Sequence, residues 1–509
     1  MTVEQDLTWP LRHAMRYFPD SEAVVDGDTR LTVREFGERV LRLSAGLRSL
    51  GVGPNTRVAT LLANSHRYLE LHYAIPGAGA IVVPLNSRLA VAEMEYILAD
   101  AGVTHLVVDE AHAPFAEKLE PLVQRVVRAP DDYEALIAAS EPEELPGPSS
   151  ENDPVGIYYT GGTTGPAKGV VLSHRALIGE SIALGLELNF NRDDRLLVVF
   201  PLFHLGAIAG IYVLVWMGST LVFQPAVDPG EILRIIERER ITATSIVPTV
   251  INALVNHPAA ETTDVSSLRL VLHGAAPISA TLCERAAQVF GCVLTQAYGM
   301  TEVAGAPTLL KDEQDLLDQR QSRSAGQPMV GYEIGVRRDD GSPCDVDEIG
   351  EVVLRGPSML TEYWNKPEET ARALRDGWYW SGDVGYQDEA GYLYLVDRAK
   401  DMIVTGGENV YSIEVENAIA EHPDVLEVAV FGIPDETWGE RVHAIVVPHD
   451  GATPTESEII AFCRQRIAGY KTPKSVEVRL EPLPKSGVGK TLKRDLRAPY
   501  WKGRDRFIG

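Results

Sequence analysis

Hydrophobic and polar positions along this chain fall into two textures. From "EAVVD" (22–26) onward, short apolar runs alternate with stretches whose apolar residues recur every three to four positions. "TVREFGERVLRLSAGLRSLGV" predicts a helix that stops at Gly51. "RVATLLAN", a helix to about Ala78, "AIVVPLN", a helix "AVAEMEYILADAG" and "THLVVD" follow in the same rhythm. Apolar strands alternating with helices predict parallel sheets covered on both faces. The acidic, proline-rich stretch 141–154 reads as a loop, after which the βα rhythm resumes as far as "VLHGAAPIS" and "GCVLTQAYG".

From about Gly326 the texture changes. "IGVRRDDGSPCDVDEIGEVVLRG" breaks short β runs with Asp-Gly and Gly-Ser turns, which predicts an antiparallel region. "GYLYLVDRAKDMIVTGG" ends it with a charged cluster. A compact α+β tail comes last, with helices at "SIEVENAIAEHP" and "TESEIIAFCRQRIAGY" and strands at "VLEVAVFGIP" and "RVHAIVVP". The expected domain boundary lies near Arg398–Asp401, giving domains 1–399 and 400–509. No fixed-period repeat is present.

One run is long and apolar enough to suggest a membrane span. Between Leu196 and Phe223 the only ionisable residue is His204. Pro201, the glycines and the histidine interrupt it, and no Lys/Arg cluster flanks it, so a strand, a loop and a buried helix are expected instead. The N-terminus has no basic start followed by an apolar core, so no signal peptide is expected and the chain is assigned to the cytoplasm.

Totals narrow the function. At 509 residues the chain is too long for one ordinary core. A net charge of −25 argues against nucleic acid or an anionic membrane as a main partner. It still permits a local positive site for a phosphorylated ligand. Cys283, Cys292, Cys344 and Cys463 have no metal-ligand spacing and read as small buried thiols.

The chemistry concentrates in "YTGGTTGPAKGV" (159–170), which follows the apolar "VGIYY". Glycines let backbone N–H groups crowd an anion, threonine hydroxyls add donors, and Lys168 supplies a point charge. With "LSHRALIGESIALG" read as a helix, strand, loop and helix form a phosphate cradle; a flexible surface loop is the alternative. No GK[ST] closes it, so it is not a Walker A loop. "PKSGVGKT" (484–491) has Pro484 where that motif requires glycine and lacks a preceding strand. Its Lys490, flanked by glycine on a flexible tail, is suited to reach into a site from outside.

Other segments are ambiguous alone. In "TQAYGMTE" (295–302), Glu302 is a candidate Mg²⁺ ligand, with Thr164 near the phosphates. Asp383 in "WYWSGDVG" is a candidate ribose ligand or an Asx-turn residue. His204 in "PLFHLGAIAG" is, by itself, a core histidine.

Together these segments resemble the ANL superfamily of adenylating enzymes, in its acyl- and aryl-CoA synthetase branch. "YTGGTTGPAKGV", "PLFHLGAIAG", "GAAP", "QAYGMTE", "GEVVLRGP", "WYWSGDVG", "DRAKDMIVTGGENVYSIEVE" and "LPKSGVGK" stand in the family's order, and the likeness runs from Arg30 to Arg494. The resemblance implies an α/β fold: a large N-terminal domain of βα-layered sheets plus a small distorted β-barrel, and a small mobile α+β C-terminal domain. It implies activation of a carboxylate with ATP and Mg²⁺ to an acyl-adenylate, then transfer to coenzyme A with release of AMP.

Carried over, Thr160, Gly161, Gly162, Thr163, Thr164, Gly165 and Lys168 hold the β- and γ-phosphates. Gly274, Ala275, Ala276, Gln296, Ala297, Tyr298, Gly299 and Met300 surround the adenine, with Tyr298 stacked on it. Thr301 meets the α-phosphate, and Glu302 with Thr164 meets the metal. Asp383 and Arg398 take the ribose hydroxyls, and Lys490 bridges the substrate carboxylate and the α-phosphate. Lys400 is the hinge, Gly406, Gly407 and Glu408 face the pantetheine tunnel, and His204 gates the acyl pocket. That pocket draws on Gly206, Val247, Gly274, Tyr298, Gly299, Ala304 and Gly305 as well. Three positions depart from the family's usual residues: Gly161 for serine, Ala167 for proline and Asp397 for glycine, none of them a lost charge.

The residues also bear on the acid. No carboxylate stands in "PLFHLG" to hold an α-amino group, and the pocket segments carry no Arg or Lys for a second carboxylate. A hydrophobic monocarboxylate is expected, medium-chain fatty or aryl/cinnamyl. Transfer to a carrier protein, another non-CoA acceptor, a luciferase-like oxygenase and an inactive binding module are the rival readings, and the oligomer is expected to be a monomer or homodimer.

Overall fold

The computed structural model describes residues 6–160, 167–274, 278, 280–311, 324–398, 401, 403–405, 408–435, 438–485 and 491–502. It divides into two compact units, Met1–Glu333 with Arg355–Tyr379, and Ile334–Leu354 with Trp380–Gly509.

The first unit is built on two sheets. A seven-stranded sheet runs in the order Glu362–Tyr363, Lys168–Ser173, Pro154–Thr160, Ile81–Pro84, Arg57–Leu61, His105–Asp109, Arg125–Ala129. Its last five strands are parallel, and the first two are antiparallel additions. A nine-stranded sheet keeps six parallel strands in its middle, from Val293–Met300 through Leu270–Gly274, Ala243–Ile246, Arg195–Val198 and Thr220–Phe223 to Glu22–Asp26. All four residues of Ile81–Pro84 are buried, as a strand covered on both faces requires.

Local signals place the helices. Thr32 closes a capping box with Glu35 at the start of Val33–Ser49, and Gly51 follows its end at φ +91°. Val91–Ala101 ends on Gly102 in the left-handed conformation. The membrane-like run resolves into strand Arg195–Val198, helix Leu205–Met217 and strand Thr220–Phe223. That helix is apolar because most of it is buried, with only Gly206 and Met217 exposed near its ends: Ser181 donates to the Ala209 carbonyl (2.6 Å), and a Cβ on Gly185 would meet Val213 at 2.6 Å. Among the described residues no helix is long and apolar enough to cross a membrane.

The sequence reading differs from the structure after the Gly-rich loop. Strand Lys168–Ser173 follows it, antiparallel to Pro154–Thr160, and the helix begins only at His174. The run Val170–Val171–Leu172 opens with two β-branched residues and is fully buried, so it extends the sheet, and Ser173 then caps the helix. The loop is therefore a hairpin connection. The helix N-terminus lies at the far end of the second strand and is not part of a phosphate cradle.

The second unit holds most of an antiparallel sheet of Glu333–Arg337, Gly350–Arg355 and Trp378–Gln387, with Leu393–Arg398 on the last. It also holds the C-terminal sheet, where Val425–Asp435 pairs with Gly439–Pro448 over ten registered positions and Ser475–Val478 adds in parallel. Helices Ser412–Ala420 and Glu456–Arg464 pack on that sheet around Val415, Ile419, Ile459 and Cys463. The second of these helices stops six residues short of the Tyr470 end of its sequence pattern.

Candidate active site

In the first unit, two loops from two sheets are tied to one segment. Thr160 and Lys168 face each other across the hairpin that flanks the Gly-rich loop, whose residues 161–166 lie outside the described residues. The base of the hairpin is braced. Tyr159 donates to Asp100 Oδ2 (2.6 Å), Tyr96 donates to the Ala167 carbonyl (3.2 Å), and Trp364 Nε1 donates to the Asp100 carbonyl (3.0 Å). A Cβ on Gly169 would meet Ile157 at 2.6 Å and Trp364 at 3.2 Å, so glycine is needed for this close approach.

Strand Val293–Met300 carries Gln296, Ala297, Tyr298, Gly299 and Met300 to the turn Thr301–Val303. Ala297 lies beside Gly274, where a Cβ would meet the Ala297 carbonyl oxygen at 2.5 Å. A Cβ on Gly299 would collide with the Gly305 carbonyl, and Ala304 takes the left-handed conformation at φ +57°. Hydrogen bonds hold this tight turn. Ser358 Oγ donates to the Val303 carbonyl (2.6 Å), Leu360 N donates to the Glu302 carbonyl (2.8 Å), and Tyr363 Oη donates to Glu302 Oε1 (2.9 Å).

Beneath the turn lies Glu180, which is fully buried. It accepts from Ala306 N (2.7 Å) and from Tyr332 Oη, and Ser358 Oγ, whose hydrogen goes to the Val303 carbonyl, lies 3.4 Å away. Burial pushes its carboxyl up to about 7, against these polar neighbours.

The apolar side of the site is built differently. His204 stands at the N-terminus of helix Leu205–Met217, its ring stacked on Phe200 (5.5 Å) and 4.4 Å from Phe203. Its Nε2 is buried and has no hydrogen-bond partner among the described residues. Burial, and then Arg88, push it down to about 4, so the ring is neutral near pH 7. Past it, Gly206, Ala207 and Gly210 line a cavity of about 30 Å³ closed by Phe190, Leu196 and Leu270. Val247 caps helix Pro248–Val255 and packs on the adjoining core.

In the second unit, Asp383 and Arg398 are directly opposed across an antiparallel pair, which brings the two expected ribose ligands together. Asp383 is 8% exposed, and its backbone N–H is taken by Ser381 Oγ (3.0 Å). Glu408 opposes Thr405 in a hairpin. Ala275, Ala276, Lys400, Gly406, Gly407 and Lys490, like Gly161 to Gly165, lie outside the described residues. Lys485 and Thr491 form an isolated antiparallel bridge.

Sequence reasoning missed Tyr363, Ser358, Tyr332 and Glu180. Glu180 did leave a signal, as a carboxylate amid buried Leu177, Ile178, Ala183 and Leu184 on one helix. Tyr363 left little, because the aromatic pair Tyr363–Trp364 sits in the polar, proline-containing "TEYWNKPEE", which reads as a surface turn.

The AMP-binding enzyme family matches residues 11–364, and its C-terminal domain matches residues 414–490. This chain belongs to that family. A feruloyl-CoA synthase from Amycolatopsis sp is 41% identical over 494 residues, 97% of this chain and 98% of the relative. A medium/long-chain-fatty-acid–CoA ligase of Mycobacterium tuberculosis is 36% identical over 507 residues, 95% of this chain and 88% of the relative. The structure of o-succinylbenzoate CoA synthetase from Bacillus subtilis, in complex with its acyl-adenylate intermediate, superposes with a TM-score of 0.88 at 30% identity, covering 97% of this chain and 99% of that one. The chain is an ANL-superfamily enzyme of the acyl- and aryl-CoA synthetase branch, an AMP-forming acyl-CoA ligase that uses ATP, a carboxylic acid and coenzyme A.

Proposed function

We propose that this ligase activates a hydrophobic monocarboxylate, aryl/cinnamyl or medium-chain fatty, and passes it to coenzyme A. The observation that carries this reading is the wall beside His204. Gly206, Ala207 and Gly210 face Phe190, Leu196 and Leu270, with Thr244 and Ser245 the polar members of the lining. The void between them is only about 30 Å³, so a chain or ring enters by displacing that wall; its apolar make-up supports the reading, since a second carboxylate there would lose its water without a cation in return.

The residues assigned to the nucleotide divide the labour. Thr160 to Lys168 hold the β- and γ-phosphates, Thr301 the α-phosphate, and Tyr298 with Gly274 the adenine. Asp383 and Arg398 take the ribose, which their cross-strand register supports. A divalent ion fits at Glu302. Among the described residues no group of three His, Cys, Asp or Glu is arranged around a metal. A single hard carboxylate beside a phosphate loop is a usual Mg²⁺ arrangement, substrate phosphates and water completing the shell. When bound, Mg²⁺ neutralises phosphate charge. Lys490 neutralises the charge shared by the acid and the α-phosphate, and carboxylate attack there needs neutralisation and alignment more than covalent help. The neutral His204 ring gates the apolar pocket. We assign 400–509 as the moving domain with Lys400 as its hinge, and Gly406 to Glu408 as the face of the thiol tunnel.

ATP–pyrophosphate exchange over a panel of carboxylic acids tests this. Hydrophobic aryl, cinnamyl and medium-chain acids should exchange, and each exchanging acid should give a CoA thioester. Exchange only with dicarboxylates or α-amino acids would overturn the substrate class. Exchange without thioester would move the acceptor to a carrier protein or another nucleophile.

A further inference from the structure

Residues 358–364 are stitched to both halves of the phosphate site. Toward the turn, Ser358 and Leu360 bond the carbonyls of Val303 and Glu302. Toward the hairpin, Thr361 N donates to the Val171 carbonyl (2.9 Å), Trp364 N donates to the Gly169 carbonyl (2.7 Å), and Tyr363 registers with Val170. Tyr363 itself touches a charged side chain on each half. Its hydroxyl bonds Glu302 Oε1 at 2.9 Å, and the Lys168 Nζ lies 4.9 Å from its ring centroid.

We propose that Tyr363 is a positioning residue that sets Glu302 and Lys168 for the metal and the phosphates at once. This rests on the assignment of Glu302 to the metal and Lys168 to the phosphates. The chemistry of the contacts suits the task. A carboxylate partner would neutralise Lys168 and compete with phosphate, whereas an aromatic face holds an ammonium more weakly and leaves it its full charge. A phenol likewise orients Glu302 without cancelling it, in the way that hydrogen-bond partners of metal ligands fix their orientation. Tyr363 is 6% exposed, so little water competes for its hydroxyl or its ring face. Tyr363 is anchored by its strand, which makes it a fixed template for both the turn and the hairpin.

Calorimetric titration of ATP into the full chain, without acid, with saturating Mg²⁺ or with chelator, reads this without turnover. In the wild type Mg²⁺ should tighten ATP binding. Tyr363→Phe should cut that Mg²⁺-dependent gain by about tenfold, the lower end for losing a partner of a metal ligand, and leave metal-free ATP affinity unchanged. Tyr363→Leu should also weaken metal-free ATP binding several-fold, because Lys168 loses the ring. A Tyr363→Phe protein that melts lower but keeps the full Mg²⁺-dependent gain has lost only a structural contact, and that overturns the proposal. Glu302→Gln separates the two levels. If it weakens the gain and Tyr363→Phe does not, the positioning role alone falls; if Glu302→Gln is itself silent, the assignment of Glu302 falls and takes the proposal with it.

Discussion

The turn that carries Glu302 and the helix that begins after His204 lie in the same unit, and they are held in place in opposite ways. The turn is tied by directed bonds: Ser358, Leu360 and Tyr363 from one segment, with the buried Glu180 taking Ala306 N from below. Helix Leu205–Met217 is held mainly by shape. Ser181 bonds its Ala209 carbonyl and His72 its Tyr212, but its glycines fit under Phe200 and Phe190, and Nε2 of His204 has no hydrogen-bond partner among the described residues. Directed bonds fix atoms to fractions of an ångström, as phosphate and metal require. Apolar packing sets only volume, and a volume can be changed without disturbing the chemistry. The difference implies that changes at the bonded side alter the rate for every acid, and changes at the packed side alter the choice among acids.

Lys490→Ala is the severest test. On the proposed assignment it removes a transition-state cation, so adenylation should fall by roughly a hundredfold or more. Thioester formation from preformed adenylate should fall far less. Exchange kinetics across the acid panel should show the same factor for each acid. A loss confined to some acids would break the comparison, and equal loss in both half-reactions would remove Lys490 from its assigned step.

The same contrast explains what the sequence disclosed. Alternating apolar runs gave the parallel cores because burial on both faces leaves a continuous hydrophobic signature, as in Ile81–Pro84. The Gly-rich loop, Glu302, Asp383 and Arg398 were singled out through family resemblance, since their order is their signature, and the structure sets Asp383 opposite Arg398. What stayed hidden was long-range. Ser358 and Glu180 are 178 positions apart, and Tyr363 and Glu302 are 61 apart, so no local window joins them. Strand Lys168–Ser173 was divided between the Gly-rich loop, read to Val170, and the following helix, read from Leu172, because "GVVLS" is short and apolar, a run for which periodicity does not separate strand from helix.

Acid should tell the two sides apart by sign. Glu180 is raised from its ordinary 4.5 to about 7, so the native state binds its proton more tightly than the unfolded chain. This group's contribution to stability rises as pH falls from 7 towards 4.5. His204 is lowered from 6.5 to about 4, so the unfolded chain binds that proton more tightly, and its contribution falls as pH drops from 6.5 towards 4. Between pH 7 and pH 5 each change amounts to about 2 kcal/mol, opposite in direction. His72, His174 and His273 share the shift of His204 and give every variant the same acid-sensitive background. Denaturant unfolding at the two pH values should therefore show His204→Phe losing less stability on acidification than wild type, and Glu180→Gln losing more. Matching slopes in the two variants would refute the assigned shifts.

The mildest change should leave chemistry and stability alone and still move the choice of acid. A Cβ on Gly210 would stand 3.8 Å from Phe190 Cε2, ordinary contact distance, so Gly210→Ala is accommodated without a clash. Alanine in a helix interior is favoured over glycine by up to about 1 kcal/mol, so the melting temperature should hold or rise. The methyl group takes space from the cavity behind Gly206 and Ala207. One methylene in an apolar pocket discriminates by about tenfold or somewhat more. The longest or bulkiest acid accepted by the wild type should therefore lose about tenfold in kcat/KM relative to the shortest, with kcat for the shortest unchanged. A uniform loss across the panel would mean that this helix, too, positions the reacting groups, and the division between bonded and packed sides would fail at its weakest point.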